Sequence, residues 1–269
     1  MKATRSDKSF ARPVAGEELI RFEDIHKSFG TKHVFEHLSL SVMEGEILTV
    51  MGGSGMGKSV LLKCLIGLLY PDSGRIIFES QDLTAFDEKD FLHVRRRIAM
   101  VFQGAALFDS LTVGENIAYP LREHFPTMSD EELQKRVAQK LELVNLPGVE
   151  AMKPADLSGG MRKRIGLARA IAVDPEVILW DEPTTGLDPI SARVIDRLIV
   201  SMKRKLGCTS VVVTHDLDSA FTVSDRIAMI AKRKIVQVGT VQEMRNSTVP
   251  EVRTFFEARQ PPRPAVSAR

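Results

Sequence analysis

The residues with the clearest chemical potential are 52–59, which read GGSGMGKS. They match the pattern G-x-x-x-x-G-K-[ST], whose glycines let successive backbone N–H groups turn toward phosphate oxygens. In that pattern Lys58 reaches the β- and γ-phosphates of a nucleotide, and the Ser59 hydroxyl binds Mg²⁺. The segment follows an apolar run at 47–51 and opens a helical pattern, which is the context the motif requires. The alternative is a glycine-rich turn with a chance lysine, and by itself the motif specifies only a nucleoside triphosphate.

Two adjacent carboxylates form a second candidate site. Asp181 and Glu182 directly follow the apolar run at 177–180. A carboxylate at the carboxyl end of a parallel strand points into the ligand crevice of an α/β sheet. Asp181 would then hold Mg²⁺ through water, and Glu182 would be the base or orienter for an attacking water. The alternative is an ordinary Asp-Glu-Pro turn that ends at Pro183.

A third segment, LSGGM at 157–161, precedes the basic triplet 162–164 and an apolar helical run. A serine and two glycines at a helix start present a hydroxyl and N–H groups to an anion. The alternative is an ordinary helix cap. We interpret this triplet and the triplet at 95–97 as solvated or interdomain faces, without a role in nucleic-acid binding.

The elements that must position these residues alternate between strands and helices. Alternation of apolar and polar residues over 19–42 predicts half-buried strands, and continuous apolar runs predict buried strands. Buried strands are predicted at 47–51, 177–180 and 210–214, a further short strand at 98–102, and helices over 58–69 and from Pro189, capped by Asp188. This order indicates an α/β protein with a parallel sheet.

The remaining segments define the predicted domain organisation. Residues 1–17 form a polar arm, and 104–156 form a helical subdomain with nine acidic and five basic residues. Within it Ser129 and Glu132 make a capping-box signature. After residue 245 we expect a short helix over 250–256 and a proline-containing tail to residue 269.

Composition excludes several classes of protein. The 269 residues include 37 Lys+Arg and 35 Asp+Glu, and 43% are hydrophobic. These values fit a globular protein and exclude a disordered or strongly basic chain. Cys64 and Cys208 are too few for a disulfide framework and are predicted to be reduced core residues. The amino-terminal region has no apolar signal segment, and the stretch at 60–70 is too short to span a bilayer, so we expect a cytoplasmic protein without its own anchor.

Together the motifs resemble the nucleotide-binding subunit of an ATP-binding-cassette (ABC) transporter over about residues 18–245. The resemblance rests on the ordered elements GGSGMGKS, Gln103, LSGGM, VILWDE, TGLD and His215. It implies a P-loop NTPase cassette with a RecA-like parallel-sheet core, an antiparallel β subdomain and an inserted helical subdomain. It also implies that ATP and Mg²⁺ are bound.

The resemblance assigns roles to individual positions. Catalysis is assigned to Glu182, His215, Gln103 and Lys58, with His215 at the γ-phosphate, and metal binding to Ser59, Gln103 and Asp181. Nucleotide binding is assigned to Phe29, Gly52, Gly53, Ser54, Gly55, Met56, Gly57, Lys58, Ser59, Val60, Ser158, Gly159, Gly160 and Asp188. Phe29 lies where the family places an aromatic ring under adenine, and the alternative is a core phenylalanine. For His215 the alternative is a buried, satisfied histidine.

The family pattern also implies partners. Ser158, Gly159 and Gly160 resemble the signature that completes the ATP site of the opposite subunit, and Asp188 belongs to a loop that crosses the dimer interface. One phosphate loop and one signature per chain therefore imply a homodimer that closes head to tail. Lys58 and Ser158 lie one hundred residues apart, which leaves no room for the long coiled coil of chromosome-organising ATPases.

Two segments narrow the resemblance to one subfamily. Residues 102–108 (FQGAALF) and 118–124 (AYPLREH) resemble the ATPase of the maintenance-of-lipid-asymmetry (Mla) system and related Mce-type transporters. This implies a separate permease, an Mce lipid-binding protein, a STAS-domain regulator and phospholipid movement between bacterial inner and outer membranes. The chain would lie on the cytoplasmic face of the inner membrane. Alternatives are the ATPase of another ABC importer and a soluble assembly factor like that of iron–sulfur cluster assembly.

Overall fold

The computed structural model describes residues 16–258. Most of the predicted polar arm and the tail from residue 259 lie outside the described residues. Within them the chain forms these elements in order: β1 (Glu18–Phe29), β2 (Lys32–Met43), β3 (Ile47–Met51), α1 (Lys58–Leu65), β4 (Ser73–Phe78), β5 (Gln81–Asp82), α2 (Glu88–Arg97), β6 (Ile98–Val101), α3 (Val113–His124), α4 (Asp130–Leu143), α5 (Gly159–Ala170), β7 (Val177–Asp181), α6 (Pro189–Leu206), β8 (Thr209–Thr214), α7 (Leu217–Val223), β9 (Arg226–Ala231), β10 (Lys234–Thr240), α8 (Val241–Arg245) and α9 (Pro250–Glu257).

A six-stranded sheet in the order β10-β9-β3-β8-β7-β6 forms the centre of the fold. Its neighbours pair in parallel except β10, which runs antiparallel to β9 at one edge. Every residue of β3, β7 and β8 is buried, which explains their continuous apolar sequences. The carboxyl ends of these three strands lie at one edge of the sheet, where β3 leads into the loop 52–59, β7 into Glu182 and β8 into His215.

A second sheet, in the order β2-β1-β4-β5, is antiparallel. The alternation over 19–42 is confirmed, since buried and exposed positions alternate along much of β1 and β2. Its buried face shares one hydrophobic core with α1 and one face of the six-stranded sheet. A second core joins helices α3 to α6 to the other face, and a third lies beneath α7, α8 and α9. Both faces of the central sheet are therefore covered, as expected of an α/β fold.

Two helix bounds differ from the sequence-based expectation. The helix predicted over 58–69 ends at Leu65, because Gly67 has a left-handed φ of 68° that a helix cannot continue. In the segment predicted to be helical over 104–156, the first helix begins only at Val113. Ala105 and Ala106 have φ values of 61° and 51°, which are incompatible with a right-handed helix. The helix predicted over 250–256 is confirmed as α9.

Gly67 and Gly207 provide a matched test of packing at a helix end. Both follow helices with φ near 68°, but a Cβ on Gly67 would lie 2.5 Å from the Phe91 ring, whereas Gly207 faces open space. Alanine at either position costs about 1–2 kcal/mol for the left-handed conformation. Overpacking adds about 1–3 kcal/mol at Gly67 only. We therefore expect Gly67→Ala to lower the free energy of unfolding, measured by urea denaturation, by about 1–3 kcal/mol more than Gly207→Ala does. Equal losses for Gly67→Ala and Gly207→Ala would contradict this account.

The basic triplet at 95–97 does not form a simple solvated face. Arg97 donates hydrogen bonds to Glu79, at the end of β4, and to Glu176, just before β7, at 2.6–2.8 Å. Its side chain therefore links the two sheets, which agrees with the interdomain interpretation. Arg95 donates to the carbonyl oxygens of Ile66 and Gly67. These contacts hold the end of α1 against α2.

The prediction that the two cysteines are reduced core residues is confirmed. Cys64 and Cys208 are buried free thiols, and burial raises the pKa of each to about 11. At neutral pH both remain protonated, so they act as small core residues. Across residues 16–258, none of the helices has the length and hydropathy required to cross a bilayer.

Candidate functional site

A cleft of about 360 Å³ lies at the carboxyl edge of the central sheet. It collects residues from β1, β2, the loop after β3, α1, the segment after β6 and the ends of β7 and β8. The residues that line it are Phe29, Lys32, Val34, Ser54, Gly55, Gly57, Lys58, Ser59, Val60, Gln103, Glu182 and His215. Ten of these twelve are residues to which the sequence motifs and the family resemblance assign a role in the site.

The loop between β3 and α1 has the backbone conformation of a phosphate cradle. Gly55 and Gly57 have φ values of 75° and 90°, which side-chain-bearing residues rarely adopt. A Cβ on Gly57 would also lie 2.4 Å from Val34 Cγ1, so glycine is required there for space as well. Gly57 is the N-cap of α1 and supplies no side-chain cap, which leaves the first N–H groups of α1 for an anion.

Lys58 is the cation of this loop. Its side chain is buried, and Nζ donates to the carbonyl oxygens of Gly52 and Gly53 at 3.0 and 3.2 Å. Nζ also lies 3.4 Å from Glu182 Oε1. The positive charge is thus held between the loop and the end of β7, where it faces the cleft.

Ser59 and Asp181 meet at the junction of α1 and β7. The Ser59 hydroxyl donates to Asp181 Oδ1 at 2.6 Å. Burial raises the pKa of Asp181, and the adjacent Glu182 charge acts in the same direction, while the hydrogen bond from Ser59 and the positive charges of Lys63 and Lys58 oppose the shift. Gln103 lines the same cleft from the segment after β6. The three side chains offer oxygen donors, which are the ligands that Mg²⁺ prefers.

Glu182 is held by contacts from three directions. Its Oε2 lies 2.8 Å from His215 Nδ1 and accepts a hydrogen bond from the Thr185 hydroxyl at 3.1 Å. Burial tends to raise the pKa of Glu182, but the His215 hydrogen bond, the charges of Lys58 and His215 and the Thr185 hydroxyl hold it below its usual range. Its backbone is left-handed, with φ at 48°, a conformation that costs free energy and is frequent at functional sites. The carboxylate is therefore ionised at neutral pH and fixed toward the cleft.

For two residues the structure excludes the alternative of a buried core position. Phe29 is 46% exposed at the end of β1 and lies beside the cleft, so it is not a core phenylalanine. The Lys27 ammonium lies 5.3 Å from the centre of its ring. The His215 side chain is 41% exposed and is directed at Glu182, so His215 is not a buried core histidine.

Several selected residues do not line this cleft. Gly52 and Gly53 contribute the carbonyl oxygens that accept from Lys58, and Met56 is exposed at the outer side of the loop. The segment 158–160 begins α5, where the Ser158 hydroxyl accepts from the Met161 N–H. Asp188 caps α6 by accepting from two backbone N–H groups.

Other residues of the site were missed in the sequence. Lys32 and Val34 line the cleft from β2, and Thr185 contacts Glu182. Lys163, interpreted as part of a solvated or interdomain face, instead donates from Nζ to carbonyl oxygens of the turn after β7. A lysine among arginines gives no sequence signal for this contact, because its partners lie about twenty residues farther along the chain.

The arrangement fits a nucleoside triphosphate with a divalent cation. Backbone N–H groups and the Lys58 ammonium supply the positive field that phosphates require, and Ser59, Asp181 and Gln103 supply oxygen ligands. An ionised carboxylate and a histidine lie beside them. This set can position a water molecule and stabilise charge that develops at a phosphoryl group.

Comparison with known proteins gives a consistent result. A family model described as "ABC transporter" matches residues 35–185. Over 239 residues the chain is 39% identical to the intermembrane phospholipid transport system ATP-binding protein MlaF of Escherichia coli, covering 89% of this chain and 88% of that protein. It is also 39% identical to the probable ribonucleotide transport ATP-binding protein mkl of Mycobacterium leprae, covering 90% and 69%. Among solved structures, a dimeric ATP-binding cassette bound to ADP and phosphate superimposes with a TM-score of 0.77 at 31% identity, covering 83% and 99%.

Proposed function

This chain belongs to the ABC transporter family as an ATP-hydrolysing subunit, and from that premise we propose that it powers phospholipid movement between bacterial inner and outer membranes. The observation that carries the ATPase role is the convergence of Lys58, Glu182 and His215 in one cleft beside Ser59 and Gln103. These residues come from four separate elements and have complementary charges.

We propose the following roles in hydrolysis. Lys58 and the N–H groups of the loop bind the phosphates, and Phe29 stacks under adenine. Ser59, Asp181 and Gln103 hold Mg²⁺, which supplies charge neutralisation when it is bound. Glu182 accepts a proton from the attacking water, and His215 orients Glu182 and contacts the γ-phosphate. Most of the catalysis in this scheme is electrostatic positioning.

We propose that the active unit is a dimer of two copies that close head to tail. Ser158, Gly159 and Gly160 lie outside the cleft of their own chain, which supports a role at the site of a partner copy. A solved cassette of 31% identity is itself dimeric. Two bound ATP molecules would close the dimer, and hydrolysis would release it, so that binding energy becomes motion of an attached permease.

A separate permease would bind next to the segment after Gln103. There Phe108 and Tyr119 are exposed aromatic residues with ring centres 5.0 Å apart, and Arg169 lies over the Phe108 ring. Exposed apolar clusters of this kind are typical of protein interfaces. Through the permease the chain would reside at the cytoplasmic face of the inner membrane. An Mce-type lipid-binding protein and a STAS-domain regulator would complete the assembly.

The choice of phospholipid rests on how much of each relative is covered, because sequence identity does not distinguish the two relatives. MlaF and mkl are equally similar to the chain at 39% identity, but the alignment covers 88% of MlaF and 69% of mkl. The nearly full-length match favours the phospholipid transporter. A ribonucleotide or other small-molecule transporter is the competing function, since the mkl name supports it.

Purification of the tagged protein from its own membranes in mild detergent tests this proposal. We expect mass spectrometry to find a multi-pass permease, an Mce-type protein and enriched phospholipid. A permease accompanied by a receptor for a soluble ligand would preserve the ATPase role and refute phospholipid transport. Recovery of soluble partners only would refute the transporter role and favour an assembly factor.

A further inference from the structure

Lys163 makes an unusually complete set of contacts with the turn that carries Glu182. It lies in the second turn of α5, and its Nζ donates to the carbonyl oxygens of Pro183 and Thr185 at 2.8 Å each and of Glu182 at 3.3 Å. An ammonium group has three N–H donors, so all three have an acceptor in one short turn. Burial lowers the pKa of Lys163, while the nearby Glu182 charge opposes that shift.

The turn that carries Glu182 has a strained backbone, which the hydrogen bonds from Lys163 stabilise. Glu182 has the strained left-handed backbone described above, and the left-handed Gly186 follows after only three residues. Inside the turn, the Thr185 N–H donates to the Glu182 carbonyl at 3.2 Å. A conformation of this kind persists only where its surroundings hold it. Lys163 joins three carbonyl oxygens of this turn, those of Glu182, Pro183 and Thr185, to α5.

The amino-terminal end of α5 also touches the chain beyond the turn. A Cβ on Gly160 would lie 3.1 Å from Ser191 Oγ, and one on Gly159 would lie 3.8 Å from Leu187 Cδ2. Gly159 therefore lies next to Leu187, and Gly160 lies next to Ser191. Lys163 joins this end of α5 to the turn through its hydrogen bonds.

From this geometry we infer that Lys163 is a positioning residue that couples the Ser158–Gly160 segment to the Glu182 carboxylate of the same chain. The inference rests on the proposed function, in which residues 158–160 contact ATP bound to the partner copy. Contact with the partner's nucleotide would then set the backbone that holds Glu182. Each copy would hydrolyse its own ATP fastest when the opposite site is also filled.

A double-mutant cycle on steady-state ATP hydrolysis tests the coupling, with Lys163→Met and Ser158→Ala made singly and together in the full chain. We expect Lys163→Met to lower kcat about 10- to 100-fold with KM changed less than about twofold, because misplacement of a catalytic group by about 1 Å costs up to about 10²-fold. We expect Ser158→Ala to lower kcat clearly in the otherwise unaltered chain, but by less than about twofold in the Lys163→Met background. Equal effects of Ser158→Ala in the two backgrounds would show independent sites and overturn the inference.

Two controls distinguish coupling between residues 158–160 and Glu182 from a contribution of Lys163 to overall stability only. Arg164 lies on the same helix and donates to the Asn145 carbonyl at 3.1 Å, away from the turn, so Arg164→Met should keep kcat within about twofold. If Lys163→Met does not fold, Lys163→Gln retains N–H donors and enters the same cycle. A fall in thermal stability with unchanged kcat in Lys163→Met would overturn the inference. Absence of hydrolysis in the unaltered chain and in its membrane complex would instead refute the proposed function.

Discussion

Replacement of Glu182 by glutamine is expected to abolish ATP turnover while ATP binding stays intact. Glutamine keeps the size of the side chain and retains a partner for Thr185, but it cannot accept the proton of the attacking water. General-base catalysis contributes about 10²- to 10⁴-fold, so we expect kcat to fall by at least that range. Because ATP binding closes the dimer and hydrolysis releases it in the proposed cycle, the variant should accumulate as a closed dimer with ATP.

Size-exclusion chromatography with and without ATP measures this accumulation beside a steady-state ATPase assay. Glu131→Gln is the matched control, because Glu131 is an exposed carboxylate on α4 and its loss should leave both measurements unchanged. Retained hydrolysis in Glu182→Gln would contradict the assignment of Glu182 as the base. Loss of ATP binding in that variant would show instead that the carboxylate supports the binding site.

The Lys58→Ala change is expected to act on a different step, the binding of ATP itself. Lys58 is the buried cation of the cleft, and hydrogen bonds to charged groups contribute about 1.5–3 kcal/mol. We therefore expect the affinity for ATP to fall about 10- to 100-fold, measured by titration calorimetry.

Lys135→Ala removes an exposed lysine from α4 and is the control for the loss of one positive charge. Urea unfolding of both variants is needed, because Lys58→Ala also leaves the carbonyl oxygens of Gly52 and Gly53 without their donor. Unchanged ATP affinity in a folded Lys58→Ala protein would refute the role of the loop in binding phosphate.

Much of the site was predictable because its residues come from local patterns. The glycine spacing before Lys58 determines the loop conformation directly, and the strand before Asp181 was visible as a continuous apolar run. The carboxyl ends of parallel strands lie at one edge of a sheet, which predicts that these residues meet. The cleft confirms that Lys58, Glu182 and His215 come together, while their catalytic roles stay predictions.

Other features were not predictable because they depend on contacts distant in the sequence. Helix α1 ends early because Gly67 is left-handed, and the Phe91 ring leaves no room for a side chain there; the apolar pattern through Leu69 gives no sign of this close contact. The triplet at 162–164 reads as a charged surface, yet Lys163 turns inward to a turn about twenty residues away. The sequence shows that residue 163 is a cation, but it does not show which carbonyl oxygens accept its hydrogen bonds.

The most direct test of the central claim is ATP-dependent lipid transfer by the complex of this protein with its permease, reconstituted in phospholipid vesicles. With ATP and Mg²⁺ we expect labelled phospholipid to exchange between the vesicles and the co-purified lipid-binding partner. We expect no ATP-dependent exchange in the complex that carries Glu182→Gln. Equal exchange in the two complexes would contradict the claim that hydrolysis in this cleft powers phospholipid movement.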